Sequence, residues 1–104
     1  MPVATMHGRE IHVDEEGYLT VPGEWDESLA HELAANIGIE LTPRHMEAIA
    51  FARADAAAQG ETPTLRRMQA AGGFATKELF QLFPKKPAKK LSYVAGLQKP
   101  VGCV

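Results

Sequence analysis
The chain has 104 residues, 45% of them apolar and 23% charged, with a formal net charge of −2 and one cysteine. A chain this short builds a single core. No run approaches the ~20 apolar residues of a membrane-spanning helix, and no cationic segment precedes an apolar stretch at the amino terminus, so one small cytoplasmic domain is expected.

Arg9 to Val21 alternates like a half-buried strand pair, with Ile11 and Val13 leading into Asp14-Glu15-Glu16-Gly17 and then Tyr18, Leu19 and Val21. Gly17 supplies the positive φ of a tight turn, which predicts an amino-terminal β-hairpin. Asp26 reads as a helix N-cap, Leu29, Leu33 and Ile37 repeat at four-residue spacing, and Gly38 ends that helix. Thr42-Pro43 and Thr62-Pro63 each read as an N-cap followed by proline at the first helical position, where the missing N–H costs nothing. The first predicts a helix through Met46, Ile49 and Phe51 to Gly60, and the second a helix with Leu65 and Met68 that stops at Gly72-Gly73. A short helix follows from Thr76 to Phe83, closed by Pro84, and another from Pro87 to Gly96.

From Leu97 to Val104 the chain has no helical period, and Pro100 and Gly102 oppose one, so an extended arm is predicted. Eight extended residues span at most about 26 to 29 Å. The expected organisation is a domain over residues 1–96 and a flexible arm over 97–104. The fold class is mainly α (α+β): an N-terminal β-hairpin, a helical bundle with a helix-turn-helix-like core, and the arm.

Charge divides unevenly along the chain. Residues 1–40 hold nine acids and one base, while Pro84 to the end holds Lys85, Lys86, Lys89, Lys90 and Lys99 and no acid. These five lysines are candidate partner-binding residues, presenting a positive field to an anionic partner, although a solvated lysine face would look the same.

One cysteine excludes an intramolecular disulfide and a cysteine-rich zinc site. His7 and His12 are five apart on one predicted strand, and His31 and His45 lie on different helices, so no metal site is expected. Neither a phosphate loop nor any other cofactor signature is present. Thr62 to Phe83 resembles a helix-turn-helix with Arg66, Arg67 and Lys77 nearby, but Leu79, Phe80, Leu82 and Phe83 leave few polar side chains for base edges, and a sequence pI near 6.1 weighs against nucleic acid. Cys103 is the candidate catalytic group, a thiol on a lever whose thiolate form Lys99 or a partner's cations would favour and the adjacent terminal carboxylate would oppose.

At Val13-Asp14-Glu15-Glu16-Gly17-Tyr18-Leu19, Trp25, Gly38-Ile39-Glu40-Leu41-Thr42 with His45, and Leu79-Phe80-Gln81-Leu82-Phe83-Pro84, the chain resembles the DsrC/TusE family of sulfur-relay proteins. Its most specific segment is Ala95-Gly96-Leu97-Gln98-Lys99-Pro100-Val101-Gly102-Cys103-Val104. The resemblance implies a functional thiol at Cys103, which accepts sulfane sulfur as a persulfide from a sulfurtransferase and passes it to a downstream acceptor, without cofactor or membrane. Members of the dissimilatory sulfite reductase gamma type have a second arm cysteine, and here that position is Ser92, which favours a one-thiol carrier. Gln98 in place of the arm's usual proline, Met46 in place of tryptophan and a shortened stretch between Met68 and Leu79 mark a divergent member. Two alternatives stand beside carriage: a helix-turn-helix regulator with a redox-sensing cysteine, and a redox partner that forms a mixed disulfide.

Overall fold
A computed structural model describes residues 3–6 and 9–99 of the chain. Strands β1 (Val3–Met6) and β2 (Arg9–His12) pair antiparallel with Val3 opposite His12. Helices α1 (Glu27–Asn36), α2 (Pro43–Gln59), α3 (Leu65–Ala70), α4 (Thr76–Leu82) and α5 (Pro87–Val94) follow, after a 3-10 turn at Pro22–Glu24.

The amino-terminal pairing differs from the expected one. The strand partner of Arg9–His12 is the preceding strand, and the Asp14–Gly17 turn is closed by a bridge between Val13 and Leu19 with backbone bonds from Asp14 N–H to Tyr18 and from Thr20 N–H to His12. The turn holds itself: the Asp14 carboxylate accepts the N–H groups of Glu16 and Tyr18, and Gly17 takes φ +91°. Ile11, Val13 and Leu19 then bury against Leu29 and Leu33 of α1, with Trp25 and Tyr93 packed beside them.

Helix ends follow local chemistry. Asp26 caps α1 by accepting from Leu29 N–H at 2.8 Å. At its far end Gly38 is left-handed and Ile39 N–H returns to the Ala34 carbonyl, a Schellman motif. Thr42 caps α2 in a reciprocal box with His45, whose Nδ1 accepts Thr42 N–H at 3.1 Å. Since the Leu82 carbonyl lies 2.7 Å from Nε2 and can only accept, the ring proton sits on Nε2, and His45 ties α2 to the end of α4. The expected Thr62-Pro63 start is displaced by two residues: α3 is capped by Thr64, while Thr62 Oγ1 serves the Gln98 carbonyl and Pro63 is buried.

The main core lies where α2 and α5 meet α1, α3 and α4, with Ile49, Ala52, Met68, Leu79, Phe83, Leu91 and Val94 at its centre. Two ion pairs brace its rim. Arg67 holds the buried Asp55 with both Nε and Nη2, at 3.0 and 2.9 Å from Oδ1. Arg44 forks onto Glu78 at 2.8 and 2.9 Å and lies over the Phe74 ring.

The hydrogen bond from Arg44 holds the Glu78 carboxyl below its usual 4.5. A carboxyl whose folded value is depressed contributes stability that is complete above the unfolded value and is lost as pH falls through the folded one. Glu78→Gln is therefore expected to flatten the acid limb of the stability profile below about pH 4.5. Denaturant midpoints taken across that limb check it, and an unchanged slope contradicts it.

Candidate functional site
The site is built around α5, whose two ends carry the predicted residues. At its entry, Lys86 N–H bonds to the Pro84 carbonyl at 3.1 Å, and Lys85 between them takes φ +76°. This is a γ-turn with a non-glycine residue in the left-handed region, a conformation that stores strain. Lys86 is the N-cap residue, at φ −116° and ψ 75°, and the following Pro87 disfavours the α region for it. One helical turn on, Lys89 and Lys90 flank the same face.

Lys86, Lys89 and Lys90 rim a shallow groove of about 350 Å³ whose floor is Gly17, Tyr18, Ile37 and Tyr93. The two tyrosine rings meet edge to face at 6.1 Å. No carboxylate among the described residues pairs with these three lysines, so their field is directed outward. Lys85 is exposed and does not line the groove. Lys99, expected among the outward-facing cations, is instead bonded to Glu16 on the groove's edge at 3.0 Å.

At the exit of α5 a second Schellman motif operates. Gly96 takes φ +70°, and Leu97 N–H returns to the Ser92 carbonyl at 2.9 Å. Leu97, expected to begin a free arm, is therefore folded back and 7% exposed. Gln98 is held by Thr62 at 2.8 Å and Lys99 by Glu16, so the chain stays on the body through residue 99. Cys103, like His7, lies outside the described residues.

Ser92 is 1% exposed, and its hydroxyl donates to the Ala88 carbonyl at 2.7 Å. It faces the interior of the fold, satisfied within its own helix. The helix-turn-helix expectation finds its two helices in α3 and α4, but Arg67 is committed to Asp55 and Glu78 to Arg44, which leaves Arg66 and Lys77 as the unpaired cations there among the described residues. Among the described residues no three His, Cys, Asp or Glu side chains gather as a metal site. His12 is engaged by Glu24 at 2.8 Å. No helix among the described residues is long and apolar enough to cross a membrane.

Sequence reasoning missed Arg53, which reaches from α2 to the Ala95 carbonyl at 2.7 Å and lies over the Trp25 ring at 4.2 Å. Its only signal was its neighbours: a lone tryptophan and a glycine, Gly96, that turn out to touch.

Comparison with known proteins gives consistent results. The family described as DsrC like protein matches residues 5–104. Sulfurtransferase TusE of Shigella dysenteriae is 40% identical, with 93% of this chain and 95% of that protein covered. The protein of the same name from Escherichia coli is 39% identical over the same shares. Among solved structures, Allochromatium vinosum DsrC superposes with a TM-score of 0.82 at 33% identity, covering 98% of this chain and 97% of that one. The oxidized gamma-subunit of the dissimilatory sulfite reductase from Archaeoglobus fulgidus gives a TM-score of 0.77 at 31% identity, covering 99% and 100%.

Proposed function
Because the chain belongs to the DsrC-like family, we propose that it is a sulfur carrier, loaded at Cys103 by a persulfide-donating sulfurtransferase and unloaded by an acceptor thiol. The observation that carries this reading is the family match itself, which runs through residue 104 and so takes in Cys103. Relatives that bear the name sulfurtransferase support the same chemistry.

Loading is written as thiolate exchange. The Cys103 thiolate attacks the outer sulfur of the donor's persulfide, the donor's inner sulfur leaves as thiolate, and Cys103 now holds the sulfane sulfur. Unloading repeats the step with an acceptor thiolate as nucleophile and Cys103 as leaving group, so no net oxidation occurs. With one cysteine in the chain and a buried serine at position 92, no internal thiol competes for the persulfide. This favours carriage over a disulfide cycle.

The four residues from Pro100 to Cys103 add at most about 13 to 14 Å of reach beyond Lys99. The body must therefore approach its partner closely, and the lysine-rimmed groove is the surface suited to do so. A partner presenting carboxylates around an apolar side chain would match its rim and floor. Replacing Lys86, Lys89 and Lys90 together with alanine is expected to slow loading by a protein donor about tenfold at low ionic strength and to flatten its salt dependence. Thermal stability should move little, because none of the three lysines holds an ion pair among the described residues. Stopped-time loading assays across a salt series check this.

The carrier reading is tested by incubating wild type and Cys103→Ser with a persulfide-generating sulfurtransferase and recording intact masses. Wild type should gain one sulfur atom and the variant none. Equal gain by both, or none by either, would falsify it.

A further inference from the structure
Where the chain leaves α5, the hydrogen bonds are more elaborate than helix termination requires. The Schellman motif already satisfies the Ser92 and Tyr93 carbonyls through Leu97 and Gly96. Two further side chains take the next carbonyls in order: Trp25 Nε1 donates to Val94 at 2.9 Å, and Arg53 Nη1 donates to Ala95 at 2.7 Å. Arg53 also reaches the Pro22 carbonyl at 3.3 Å, which joins the segment before Trp25 to the end of α5. The guanidinium covers the indole at 4.2 Å, and the indole lies so close to Gly96 that an added Cβ would sit 2.4 Å from its Cδ1.

A half-buried guanidinium is expensive unless paired, and no carboxylate among the described residues pairs with Arg53. Its compensation comes from backbone carbonyls at the negative end of α5 and from the tryptophan face. Burial also pulls its pKa down from the ordinary arginine value, as expected of a cation held away from water. An apolar side chain would fill the same space without that desolvation. What it would not supply is a fixed direction, because donors aimed at successive carbonyls fix the orientation of the peptide planes as well as their position.

We propose that Arg53 and Trp25 are positioning residues that set the direction in which the chain leaves α5, and so where Cys103 is presented to the donor's persulfide. The proposal rests on the carrier reading for its second half only. Residues 97–99 continue the guided path, with Gln98 held at Thr62 and Lys99 at Glu16. Sulfur transfer needs the attacking thiolate in line with the donor's sulfur–sulfur bond, so an arm that starts in the wrong direction wastes encounters without altering the thiol.

The test uses Arg53→Leu, Trp25→Phe and the conservative Arg53→Lys, each checked for wild-type circular dichroism and cooperative melting. Spin labels are placed at Gln98→Cys and Gln81→Cys in a Cys103→Ser background, and their separation is measured by pulsed electron resonance. The clamp predicts one narrow distance population in the parent, a broadened or shifted one in Arg53→Leu and Trp25→Phe, and partial recovery in Arg53→Lys. An unchanged distribution in Arg53→Leu overturns the proposal.

In chains that retain Cys103, loading is then compared between glutathione persulfide and a persulfide-loaded rhodanese-type sulfurtransferase. Arg53→Leu should load from the small donor at the wild-type rate and from the protein donor about tenfold more slowly. Equal losses with both donors, or none with the protein donor, overturn the positioning role. Wild type that loads from neither donor contradicts the carrier reading, while the label distances still decide the clamp.

Discussion

Gly96→Ala is expected to destabilise the fold by about 2 to 4 kcal/mol, combining the penalty of a Cβ in the left-handed region with overpacking against a side chain that cannot retreat. The glycine sits at φ +70°, and a Cβ added there would fall within 2.4 to 2.9 Å of three Trp25 atoms. The indole is held by its bond to the Val94 carbonyl and by Arg53, so relief requires breaking one of these contacts. A melting temperature lowered by roughly 10 to 20 °C is the expected readout. A drop of only a degree or two would show that Trp25 is free to move, and would weaken the case that it guides the chain.

Phe83→Ala should cost more, about 3 to 5 kcal/mol, because the ring is removed from a site that neighbouring elements cannot collapse into. Phe83 is 0% exposed and lies edge to face with His45 at 5.1 Å. His45 is pinned on both ring nitrogens, by Thr42 and by the Leu82 carbonyl, so it is poorly placed to fill the gap. Urea unfolding followed by far-ultraviolet dichroism measures the loss, and a cost below about 1.5 kcal/mol, the range of a tolerated volume-conserving swap, would contradict the packing described.

The helices are legible in the sequence because their signals are local. Asp26, Thr42-Pro43 and the glycines at positions 38, 60 and 96 act within a turn of their own position, and each marks a boundary within one or two residues of the observed one. Thr62-Pro63 misleads because Thr64 offers the same hydroxyl two residues later, and the choice between them is made by a distant group, the Gln98 carbonyl. Strand pairing is ambiguous for a similar reason. Arg9–His12 alternates equally well toward either neighbour, and only the Val3–Met6 register decides which is used.

The site is legible in part. The lysines around α5 are visible as a charge run, but that Lys86, Lys89 and Lys90 rim a tyrosine-floored groove and that Lys99 is bonded to Glu16 depend on contacts across the fold. Leu97 reads as arm because it follows a glycine and precedes a proline-containing stretch. The Schellman motif reverses that expectation, since such a motif characteristically buries an apolar residue just after its glycine. Arg53 is invisible because nothing in its own helix marks it, and its partners are a tryptophan and a carbonyl far away in sequence.

Cys103 is proposed to hold sulfur as a persulfide. After exposure to a persulfide-generating sulfurtransferase, the protein is alkylated and digested, and the peptide containing Cys103 is read by tandem mass spectrometry. Carriage predicts an alkylated persulfide on Cys103, one sulfur atom heavier than the alkylated thiol. An unmodified thiol, or Cys103 found only in a mixed disulfide with the donor, would contradict it.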